Sequence, residues 1–206
     1  MKEHKKPRAL WWILALFVCA CFAFLNIRPW GVRISQGSLL ALPLILQADY
    51  PEPVTVFGGR EKSVATSGCG AVSVAMAARY LTGNDRISPD ELLAWAVEEG
   101  QYAGDGLSHE TLSDMLKKYR LKGTWVENSD LDAVRRALNR GYPVIAHMGA
   151  GTFTQNGHYI LLIGIDEADM VTVNDPASAS RSGKQYPLSM IQSELRREQC
   201  FMIVKP

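Results

Sequence analysis

Apolar and polar positions follow two different periods along this chain, and the change of period divides it. Between residues 69 and 140, apolar residues recur every three or four positions, the spacing of one helix face. Val72, Met76 and Tyr80 form such a stripe within 69–81, with Gly83 as the stop. Leu92, Leu93, Ala96 and Val97 form a second stripe. It opens with Ser88, Pro89 and Glu91, which read as a capping box with proline at the first helical position, and ends at Gly100. Leu112, Met115, Leu116 and Tyr119 follow Ser108; Leu131, Val134, Ala137 and Leu138 follow Ser129 and stop at Gly141. From residue 143 the runs become short, β-branched and aromatic. PVIAHM, HYILLIGID, MVTVND and CFMIVK, separated by turn residues, predict four strands. Helices first and strands later predict an α+β domain, with helices packed on a mostly antiparallel sheet.

The N-terminus follows neither period. A basic flank, MKEHKKPR, precedes ALWWILALFVCACFAFL, an unbroken apolar run over residues 9–25. A helix of that length reaches about 26 Å, near the lower limit for a bilayer. Trp11, Trp12 and Trp30 lie near its ends, where indoles favour the membrane interface. We expect an uncleaved single-pass transmembrane helix with the basic flank in the cytoplasm and residues 31–206 outside. The competing readings are a cleaved signal peptide and, from VCAC ending at Cys21, a lipoprotein signal. Three regions follow: 1–30 as flank and membrane anchor, 31–64 as linker and extended segment, and 65–206 as the chemical domain. Within the linker, Leu42–Gln47 is expected to pack extended on the domain; Pro43 interrupts it as a second membrane span.

Composition adds exclusions. The 206 residues carry a formal net charge of +1, with neither a basic footprint for nucleic acid nor an acidic tail. Apolar residues make up 47%, ordinary for a protein with a buried core. No Cys/His group has metal-ligand spacing and no glycine-rich loop fits a phosphate, so no metal or other cofactor is expected.

The candidate chemistry begins with ATSGCGAVSVAMAARYL, where Cys69 stands between Gly68 and Gly70 at a helix start. Unpaired N–H groups and the positive end of the helix dipole favour thiolate over thiol there. The flanking glycines are expected to leave room for a substrate backbone at the sulfur. His158 opens an apolar strand after Gly157, and the next strand ends in Asn174 and Asp175. Folding the two strands as a hairpin brings Asp175 toward His158, where a carboxylate would hold the ring's Nδ1–H.

Cys, His, Asp in that order, with the Cys on a helix and the pair on a hairpin, is the arrangement of papain-like enzymes. Together SGCGAVSVAMAARYLTG, FTQNGHYILLIGID and VTVNDPAS resemble the bacterial cysteine peptidases related to bacteriocin-leader processing enzymes (cysteine peptidase family 39), over roughly residues 42–204. The resemblance implies Cys69 as nucleophile, His158 as the base that later protonates the leaving amine, and Asp175 as its orienting carboxylate. Many papain-like enzymes carry an oxyanion-hole Gln six residues before the Cys; here that position is Ser63. Gln47, after the apolar LPLIL segment, is the candidate donor, with the Cys69 N–H as the other.

The expected function is thiol-dependent hydrolysis of peptide or amide bonds outside the membrane, on peptides, proteins or peptide-containing surface polymers. Two alternatives are a non-catalytic peptide-binding module on the same fold and a cysteine-dependent acyltransferase. Three plainer readings concern single residues. Cys69 could pair with Cys200 in a disulfide, His147 could serve as the base, and His109 could be a surface residue in a first helical turn.

Overall fold

The computed structural model describes residues 39–206 except Asp105 and Glu198. The chain enters extended, with Leu40, Leu42 and Ile45 buried, and turns once through a 3-10 helix, Gln47–Asp49. A hairpin follows, β1 (Thr55–Phe57) and β2 (Arg60–Lys62), whose turn is Gly58–Gly59 with both φ positive. Helices α1 (Val64–Ser67), α2 (Cys69–Thr82), α3 (Pro89–Glu98) and α4 (His109–Lys117) come next. The remainder is β3 (Lys122–Val126), α5 (Leu131–Asn139), β4 (Val144–Met148), β5 (His158–Ile165), β6 (Met170–Asn174), β7 (Gln185–Pro187), α6 (Leu188–Ser193) and β8 (Phe201–Lys205).

Six strands form one antiparallel sheet in the order β3-β8-β4-β5-β6-β7. It is covered on both faces. Tyr159, Leu161 and Ile163 of β5 join a core with α2, α3 and α4; Ile160, Leu162 and Ile165 join another with α5 and α6. Burial on both faces is why HYILLIGI reads as a continuous apolar run rather than an alternation. Between Leu162 and Gly164 the register against β6 slips by one residue, a β-bulge.

The predicted helices and strands are present within a few residues of their expected ends, and the α+β expectation holds. The capping box expected at Ser88 does not form: the Ser88 hydroxyl donates to the Asp90 carboxylate instead. The sequence reading ran helices on to residue 140 and so passed over β3. This is a half-buried edge strand of five residues, too short to declare a period. Strand β7 was also missed, at the opposite edge, where Pro187 is tolerated. Helix α2 is buried almost all round, beyond the single stripe expected of it, because the sheet and α3 enclose it. No helix among the described residues is long and apolar enough to cross a membrane; the run at 9–25, with Cys19 and Cys21, lies outside them.

Candidate active site

Helices α1 and α2 meet at Gly68, and Cys69 is the first residue of α2. A Cβ at position 68 would fall 2.6 Å from Val64 Cα, so the tight joint between the helices requires glycine. A Cβ at 70 would meet Leu112 Cδ1 at 3.0 Å and Tyr159 Cδ2 at 3.2 Å. The room these two glycines leave is therefore filled by the protein's own core. The expectation that they open space for substrate is corrected: they let the helix start press against α1, α4 and β5.

That packing carries Cys69 to His158, at the first position of β5. The two side chains line one cleft, close enough to shift each other's protonation. Burial alone would raise the thiol above its ordinary value. The His158 hydrogen bond and charge, with the backbone N–H groups of Tyr159 and Gly70, outweigh it and hold Cys69 low. His158 is itself buried, which would lower it, but Asp175 and Cys69 raise it to about 9. Both shifts favour the thiolate–imidazolium form of the pair.

Asp175 follows β6 and is fully buried. Its Oδ1 accepts from His158 Nε2 at 2.8 Å and from the Ala177 N–H at 2.8 Å. Its Oδ2 accepts from Arg181 Nε at 2.5 Å. Burial would raise this carboxyl; the bonds from His158 and Arg181 hold it below the usual carboxylate range. The carboxylate engages Nε2, which lies 2.8 Å from Oδ1, and not the Nδ1 expected from the sequence. Nδ1 is then the nitrogen left for Cys69.

The fold therefore brings Cys69, His158 and Asp175 together. Gln47 lies beside α1: its backbone N–H donates to Pro176 O, its side-chain amide donates to Ala65 O at 2.8 Å, and its buried Oε1 has no partner among the described residues. The disulfide reading fails, since Cys69 and Cys200 are separate thiols.

A cleft of about 640 Å³ opens on Cys69 and His158, lined also by His109, His147, Arg196 and Arg197. His109 is not the plain surface residue expected. It is half-buried, stacked on Trp125 with centroids 3.6 Å apart, and its Nε2 lies 2.9 Å from His147 Nδ1. His147 stacks on Tyr159 at 4.2 Å. Burial, with the nearby charges of His109, Arg196 and Arg197, lowers His147 to about 3, so it stays neutral near pH 7. It has no carboxylate partner among the described residues, unlike His158. His109, His147 and Cys200 together form a group that can hold a metal ion, which spacing along the chain concealed. Arg181 was missed as well. A buried carboxylate calls for a cation, but nothing local in ASASRSG marks which loop residue turns inward.

The Peptidase_C39 like family matches residues 39–199. No curated protein matches the chain. A crystal structure of a C39-like peptidase from Bacillus anthracis is similar at 18% identity and a TM-score of 0.59, covering 83% of this chain and 98% of that one. A double glycine motif protease from an AMS/PCAT transporter, solved with its leader peptide, is similar at 21% identity and a TM-score of 0.51, with the same coverage of 83% and 98%. The peptidase domain of Streptococcus ComA, a bifunctional ABC transporter, is similar at 19% identity and a TM-score of 0.50, covering 68% and 93%. At these identities the likenesses establish the papain-like α+β peptidase fold.

Proposed function

Because the chain belongs to the Peptidase_C39-like family of cysteine peptidases, we propose that Cys69, His158 and Asp175 form its catalytic triad, acting on peptide or amide bonds. The observation that carries this is a buried carboxylate bonded to His158, whose ring interacts in turn with a sulfur at a helix N-terminus. The thiolate adds to the carbonyl carbon. The imidazolium then passes its Nδ1 proton to the departing amine as the C–N bond breaks, leaving a thioester. Water, deprotonated by the now neutral ring, adds to the thioester; collapse releases the acid and restores thiolate and imidazolium. Asp175 holds the ring and balances its charge throughout. The Cys69 N–H and Gln47 are assigned to the oxyanion, Gln47 by turning its amide from Ala65 O.

The apolar run at 9–25 behind a basic flank supports the rest of the reading: a membrane-anchored enzyme with its domain outside, acting on peptides or peptide-containing surface polymers. Two structural neighbours are peptidases of transporters, one of them solved with a leader peptide, which speaks for peptide substrates. The test is turnover of a peptide library by the full chain. Cys69→Ala is expected to abolish cleavage with the fold retained, and equal turnover by that variant would refute the proposal. Digestion of the domain by protease added outside intact cells tests orientation; complete protection would overturn the outward placement.

A further inference from the structure

His109, His147 and Cys200 are far apart in the chain and come together through the sheet register. Ala146 pairs with Phe201, so the next pair is His147 with Cys200, and the His147 N–H donates to Cys200 O at 2.9 Å. Helix α4 lies over this face and its first residue, His109, completes the group. One ligand atom from each residue falls within 4.8 Å of the others.

We propose that His109, His147 and Cys200 form a binding site for a thiophilic divalent ion of the zinc class, on the cleft wall. Zinc takes imidazole nitrogen and thiolate sulfur, and sites with three protein ligands leave a fourth position to water. Tetrahedral bonds of about 2.1 Å to nitrogen and 2.3 Å to sulfur put the donors roughly 3.3–3.7 Å apart. The imidazole nitrogens, 2.9 Å apart, must part slightly, and the sulfur must close in by about an ångström or less. The imidazoles are already placed. A hydrogen bond between two ring nitrogens needs one of them to accept, so at least one ring is neutral and offers a lone pair. Stacking on Trp125 and Tyr159 fixes both ring planes.

The surroundings of the sulfur fit as well. The Arg197 N–H donates to Cys200 Sγ at 3.1 Å, and that bond persists on a metal thiolate as an outer-shell contact. On binding, the Cys200 proton now donated to Arg197 O at 3.0 Å leaves to solvent. Mg²⁺ and Ca²⁺ do not suit the site, because both take oxygen ligands and this set offers nitrogen and sulfur. The bound ion ties α4 to β4 and β8, a cross-link beside the cleft that is independent of the triad.

The test uses Co²⁺ as a spectroscopic probe on the full chain carrying Cys19→Ser, Cys21→Ser and Cys69→Ala, so that Cys200 is the only thiol. The expected result is one equivalent of Co²⁺ taken up, with a thiolate-to-cobalt charge-transfer band that Zn²⁺ bleaches and Mg²⁺ does not. Adding Zn²⁺ is also expected to raise the thermal midpoint. Cys200→Ser removes the band, and His109→Gln, in the cavity lining, weakens uptake by about tenfold or more. A stoichiometric titration with no charge-transfer band in the folded parent would overturn the proposal, whatever the variants do. So would a band that survives Cys200→Ser. Neither outcome bears on peptide cleavage, which is assayed separately.

Discussion

Replacing Asp175 by Asn removes one charge and little shape, and its consequences follow from three bonds. The Asn carbonyl still accepts from His158 Nε2 and from the Ala177 N–H, so the ring keeps its place. The amide nitrogen faces Arg181 Nε, donor against donor. Arg181, about one-third exposed, turns to water, and the fold loses about one charged hydrogen bond, roughly 1.5–3 kcal/mol. The larger effect is on the ion pair. His158 stands at about 9 against an ordinary 6.5, burial lowering it while Asp175 and Cys69 raise it. If Asp175 carries all of that elevation, the equilibrium constant for forming the thiolate–imidazolium pair falls by about 300-fold; if it shares the elevation equally with Cys69, by about 20-fold. The assay needs no substrate: the iodoacetamide rate at Cys69, followed by mass spectrometry across pH. In the parent, the fast thiolate of the ion pair is expected at lower pH than in an ordinary thiol. In Asp175→Asn it is expected to give way to an ordinary thiol profile rising toward about pH 8.5. A variant that loses peptide cleavage yet keeps the parent's alkylation profile would show that Asp175 does not set the pair.

Other outcomes are expected. Gln47→Ala should lower kcat by about two orders of magnitude with KM little changed if its amide reaches the oxyanion; a change of less than about threefold in steady-state kinetics would leave it as a brace for Ala65 O. Gly68→Ala drives a methyl into the Val64 backbone and should cost about 1–3 kcal/mol in urea unfolding, with slower Cys69 alkylation; parent-like stability would refute the tight joint. His158, raised from 6.5 to about 9, stabilises the fold below pH 6.5 and loses that contribution as pH rises through 9, whereas Cys69, lowered from 9.0, stabilises it above pH 9 and loses that contribution as pH falls. Between 6.5 and 9 the two contributions oppose each other. The parent's urea midpoint should therefore fall less steeply there than that of Cys69→Ser, which should lose up to about 1.4 kcal/mol per pH unit from 6.5 upward; a variant no steeper than the parent would refute the coupling.

Much of the fold is legible in the chain because its long helices and central strands keep their periods. Leu112, Met115 and Leu116 line one face of α4, and the apolar run of β5 marks a strand buried on both sides. What escaped is either short or assembled from afar. β3 and β7 are edge strands of five and three residues. The meeting of His109, His147 and Cys200 depends on strand register and on where α4 lands, neither of which leaves a local mark. The pattern around Cys69 was visible, but the role of its glycines was misjudged. A glycine beside a nucleophile suggests access, and only coordinates reveal that Val64, Leu112 and Tyr159 fill the space.

The hairpin shows how narrow the margin is between a visible motif and a working geometry. Below the bulge, Ile165 faces Val171 and Gly164 faces Thr172; above it, Leu162 faces Val173 and Leu161 faces Asn174. Continued one step, the upper register sets Asp175 opposite Ile160, on the face to which alternation also assigns His158. A diagonal neighbour two residues away on one face lies within side-chain reach, and the 2.8 Å bond is the result. Had the lower register run on unbroken, Asp175 would oppose Leu161, one residue further from His158 and on the other face. The extra residue at the bulge is thus what turns a histidine and an aspartate at adjacent strand ends into a bonded pair. Their sequence motifs alone carry no sign of it.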